Sequence, residues 1–100
     1  MTELLDRINA LIDTSGDLVQ IEKTLTDGYA HALSLEAERW RLEKRLSEGA
    51  QDIQRGDLAE NANELSTLAQ RLDGNADDLA KLRTLLSDLR RHADDVRVAP

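Results

Sequence analysis

Leucine recurs in strict heptad phase through the second half of this chain, and that repeat limits what the chain can fold into more than any other feature. With Leu58 at position a, the a positions are Leu58, Leu65, Leu72, Leu79, Leu86 and Ala93. The d positions are Asn61, Leu68, Asn75, Leu82, Leu89 and Val96. Ten of the twelve are apolar, and the run is longer than the three or four heptads that identify a coiled-coil seam. The pattern predicts one helix over about 57–97. Its start carries a capping-box-like pair, Asp57 with Glu60, in which each side chain can satisfy an orphan amide.

The e positions beside the seam change character along the helix. Ala62, Ala69 and Ala76 give way to Arg83, Arg90 and Arg97. Small residues beside a leucine seam permit close approach, so the half near Asp57 is expected to pack tightest. Asp73-Gly74-Asn75 is the weak point, because an interior glycine costs about 1 kcal/mol relative to alanine. The heptad phase runs through it unchanged, which favours one helix with a soft spot.

The N-terminal half is apolar at helical spacing through Leu4, Ile8, Leu11, Leu18, Ile21, Leu25, Ala32, Leu35, Leu42 and Leu46, with Tyr29, Leu33 and Trp40 on another side. Thr2 is the expected N-cap. Thr14-Ser15-Gly16-Asp17 interrupts the stripe, and Ser15 or Asp17 can cap a fresh start. Two arrangements follow: one helix over about 3–48, or a short helix to Asp13 and a longer one from about residue 18. A glycine stands near each end of the segment 49–56, which places the turn there. The expected fold is all-α: residues 1–100 as one antiparallel helical hairpin, with arms at about 3–48 and 57–97.

Composition agrees with long helices. Of the residues, 40% are hydrophobic and 33% charged, phenylalanine is absent, and the single proline is Pro100. Two paired stripes make a thin core, and the faces here are wider than a two-stranded seam requires. The expected solution is a homodimer closing into a four-helix bundle, or docking on another helical protein. Leu65, Leu68, Leu72, Leu79, Leu82, Leu86 and Leu89 are the expected interface. Trp40 is either packing near the turn or an anchor for a partner. Asn61 and Asn75 place amides in the seam, where they can fix register or simply be hydrated.

Motifs that carry chemistry are missing. No Glu-x-x-His, His-Glu-x-x-His, phosphate-binding glycine loop or Gly-x-Ser-x-Gly elbow is present, and cysteine is absent. His31 and His92 are isolated and expected at the surface. Neither an enzyme nor a cofactor or metal site is implied. The run Arg39-Trp40-Arg41-Leu42-Glu43-Lys44-Arg45 is basic and aromatic, but flanking glutamates at i,i+4 make it a salt-bridged helix surface. A net charge of −7 disfavours nucleic acid and anionic membrane as partners. With no secretory signal or membrane-length apolar run, the expected location is the cytoplasm.

Size, acidity and two arms of similar length resemble the small secreted helical-hairpin proteins of the WXG100 type. Their Trp-x-Gly turn motif has no counterpart here, since Trp40 is followed by Arg41 and Leu42, and the Val96-Arg97-Val98-Ala99-Pro100 tail lacks that family's tyrosine. The resemblance is one of architecture, and it implies an alternative role as an export substrate or heterodimer partner.

Overall fold

The computed structural model describes residues 1–14, 17–54 and 58–98; the side chains of 52–54 and 58–61 lie outside that description. The described residues form three helices: α1 (Thr2–Asp13), α2 (Leu18–Gln54) and α3 (Leu58–Val98). No strand occurs among the described residues.

Of the two arrangements open for the first half, the broken one is found. α1 ends at Asp13, and Thr14 takes extended backbone angles (φ −112°, ψ 143°). Asp17 Oδ1 then accepts a hydrogen bond from the Val19 amide at 3.0 Å, satisfying one of the orphan donors at the start of α2. Ser15 and Gly16 lie outside the described residues. Thr2 is not the N-cap: Met1 occupies that position and makes no side-chain cap bond, so Thr2 is already helical.

The turn expected over 49–56 needs correction. α2 continues through Gly49 to Gln54, and only Arg55, Gly56 and Asp57 lie beyond it before α3, outside the described residues together with the Asp57–Glu60 pair. The physical reason is packing at Gly49. A Cβ there would stand 2.6 Å from Leu65 Cδ2, so the bare backbone serves as a socket for a leucine. α3 runs unbroken through Gly74, around which a Cβ would meet nothing within 4 Å.

The chain divides into two compact units. The first joins Met1–Leu33 with Ala80–Pro100 and contains three helical segments. Arg7 on α1 donates to Thr24 Oγ1 (3.3 Å) and pairs with Asp27 (3.1 Å) on α2. Arg97 on α3 pairs with Glu22 on α2, and that hydrogen bond and charge raise the guanidinium pKa above its ordinary value. Contacts of 22 with 97 and of 28 with 86 show that α2 and α3 run antiparallel in this unit. Ile8, Ile21, Leu82 and Leu89 are fully buried at its centre, with Thr24 at 1% exposure beside them.

The second unit, Ser34–Leu79, has only two helical segments. Arg45 pairs with Glu64 (3.2 Å) and Glu38 with Arg71 (3.8 Å), so the segments again run antiparallel. Leu35, Leu42, Leu68, Leu79 and Asn75 are its buried residues.

Candidate interaction surface

Every described a and d position of α3 is buried or half-buried. Depth of burial differs between the units, because it depends on how many helices share the seam. In the first unit Leu82, Leu86, Leu89 and Ala93 are at most 2% exposed. There α1 covers the g flank as well, and the g residues Leu85 and His92 become half-buried. His92, expected at the surface, is half-buried, and its Nε2 lies 2.9 Å from the Thr14 carbonyl oxygen at the end of α1 in a contact that is itself exposed. His31 is likewise half-buried.

In the second unit Leu68 and Leu79 are buried, but Leu65 and Leu72 are only half-buried. The expectation that the half near Asp57 packs tightest is thus reversed. Small side chains allow close approach only where a helix is present to approach, and here none covers the alanine flank. Ala62 and Ala69 are exposed and Ala76 is half-buried.

The two flanks of α3 in this unit have opposite character. On the g side, Glu64 and Arg71 form the cross-helix ion pairs with Arg45 and Glu38. On the e side, Ala62, Leu65, Ala69, Leu72 and Ala76 follow one another at alternating spacings of three and four, which is a second heptad stripe. From Ala62 to Leu72 the only charged residues are Glu64 and Arg71, so the e flank is uncharged over that length. It is bordered by Ser66, Asn63 and Gln70, and the next acidic residue after Glu64 is Asp73.

Of the residues expected at an interface, Leu68, Leu79, Leu82, Leu86 and Leu89 are thus buried within the chain, while Leu65 and Leu72 keep part of their surface. Trp40 does not pack in the arm. It is 62% exposed, with Lys44 Nζ 5.4 Å from its ring centroid in cation–π range. Arg39 pairs with Glu43 at 3.1 Å, as the i,i+4 spacing implies. The alanine flank was visible in the sequence as a run of small e residues, but its exposure was not, because the repeat says nothing about how many helices share it.

In the first unit a groove of about 580 Å³ lies between α1 and α3, floored by Leu5 and Leu85 with Asp6 and Lys81 in its lining. Among the described residues no three His, Asp or Glu side chains converge on a point that would hold a metal ion. No helix of the described residues is long and apolar enough to cross a membrane. No family model, curated protein or solved structure matches the chain.

Proposed function

We propose that this chain is a non-enzymatic helical interaction module that self-associates, two copies meeting through the e flank of α3 in the second unit to complete a four-helix antiparallel bundle. One observation carries the reading. Where three helical segments share the seam, its leucines are buried to 2% exposure or less; where two do, Leu68 and Leu79 are buried but Leu65 and Leu72 are only half-buried, beside the exposed Ala62 and Ala69. Each buried leucine contributes roughly 1.5–3 kcal/mol, so a further pair of helices over that flank is a favourable completion.

Charge supports a second copy as the occupant. In a chain of net charge −7, the e flank from Ala62 to Leu72 carries no charge of its own, Glu64 and Arg71 lying on the opposite g side in ion pairs with Arg45 and Glu38, so α3 offers another copy a face without like charge. Antiparallel approach about Ala69 sets the Asp73 end of one α3 against Leu65 of the other. Parallel approach stacks Asp73 on Asp73, which disfavours it.

Sedimentation equilibrium over a hundredfold concentration range tests this. The expected species is a dimer of about twice the 11.2 kDa chain mass, and Ala69→Glu, which alters an exposed helical position and leaves the core intact, should return it to monomer. A chain monomeric at every concentration, or an A69E variant that associates undiminished, overturns the proposal.

A further inference from the structure

The apolar pattern of the second unit does not by itself choose a register. Leucines recur every seven residues along α3, so sliding α3 past α2 by one heptad brings Leu68 into the layer now occupied by Asn75 and keeps the hydrophobic phase. The sequence also offers a glycine for an earlier reversal, since Gly49 precedes Gly56 by one heptad.

One buried side chain distinguishes the two registers in the interior, and at the rim the shift also exchanges the Glu38–Arg71 ion pair for Glu38 against Glu64. Asn75 occupies a d position and is only 5% exposed. Its Nδ2 donates to the Leu35 carbonyl oxygen at 2.9 Å, in the interior of the unit. Its Oδ1 is buried without a hydrogen-bond partner. A leucine in the same place would satisfy the seam and leave no orphaned acceptor, so stability alone gives no reason for an amide. We infer that Asn75 is a register-selecting residue, which holds α3 to α2 at the Leu35 layer and penalises the heptad-shifted pairing.

The penalty arises because the shift breaks the hydrogen bond that the amide makes to the Leu35 oxygen. In the shifted pairing the amide leaves that oxygen, and Leu68 faces Leu35 in its place. Gly49 acts in the same sense, since its socket for Leu65 exists only while α2 continues as helix past residue 49. The inference concerns pairing within one chain and stands independently of any partner.

The absence of cysteine makes the test direct, because any disulfide reports a pair that was placed. Glu38→Cys with Arg71→Cys reports the register of the structure, in which these side chains are ion-paired at 3.8 Å. Glu38→Cys with Glu64→Cys reports the register shifted by seven. In dilute, equilibrating redox buffer, only the first pair should close while Asn75 is present. With Asn75→Leu added, the second pair should close roughly tenfold more readily, with a melting temperature unchanged or raised. If leucine is too bulky and the chain unfolds, Asn75→Ala removes the same amide and is read by the same two cross-links. A second pair that stays open in the folded N75L or N75A background overturns the inference.

Discussion

Gly28 on α2 lies so close to Leu86 on α3 that a Cβ at position 28 would overlap Leu86 Cδ2. Leu86 is 2% exposed, and its Cγ as well as both of its methyl groups would lie within 4 Å of that Cβ, so the whole side chain must shift. Gly28→Ala should therefore destabilise the first unit by about 1–2 kcal/mol, overpacking outweighing the gain in helix propensity. Gly74→Ala is the control, since open space surrounds it. It should stabilise by about 1 kcal/mol and raise the melting temperature by roughly 4–8 °C. Thermal unfolding followed by circular dichroism separates the two signs.

The uneven depth of the leucine seam predicts uneven truncation costs. Leu89→Ala removes a fully buried side chain and should cost about 2–5 kcal/mol. Leu65→Ala removes a half-buried one and should cost under about 2 kcal/mol at low protein concentration. If two copies close over that flank, the Leu65 cost grows with concentration while the Leu89 cost in the first unit changes less. Denaturant melts at two concentrations measure both.

Arg7 fastens α1 to α2 through Thr24 and Asp27. Both ionic side chains are close to half exposed, so solvent screens the pair and Arg7→Gln should cost only about 0.2–1 kcal/mol. The loss should be local. Amide exchange should quicken through 3–13 more than through 80–98, and salt should narrow the difference between variant and parent.

His92 faces a carbonyl, which only accepts, so its Nε2 must carry a proton. Nitrogen-detected NMR at neutral pH should find the Nε2–H tautomer or the doubly protonated ring. A ring with Nε2 bare would contradict the contact. His92→Ala should fray the C-terminal turn of α1, because the Thr14 carbonyl loses its donor, and amide exchange at residues 11–14 is the readout.

Much of this was legible from residue spacing, and the exceptions share a cause. The phase of α3 and its passage through Gly74 follow from apolar periodicity, while the break after Asp13 was one of two arrangements that the capping residues at 14–17 left open. Periodicity identifies the face that must be covered; it does not say what covers it. Leu85 and His92 lie outside the a/d seam, and they are half-buried because α1 folds back onto them. The alanines at 62 and 69 have the size that close packing needs, yet they are exposed, in a unit whose described residues supply two helical segments. Gly49 had the chemistry of a helix stop and became a packing socket, since the helix lost about 1 kcal/mol of propensity there and gained a fitted Leu65. At the candidate surface, Leu65 and Leu72 were identifiable as seam residues, whereas their partial exposure depended on a helix count that no local pattern contains.

Trp40 is the only tryptophan of the chain and stands in water at 62% exposure. Its emission should already be red-shifted and open to collisional quenchers in the native protein, so fluorescence will barely register unfolding of either interior. A blue shift at Trp40 would instead mark something settling onto the outside of α2, which makes the indole a ready optical sensor of docking rather than of denaturation.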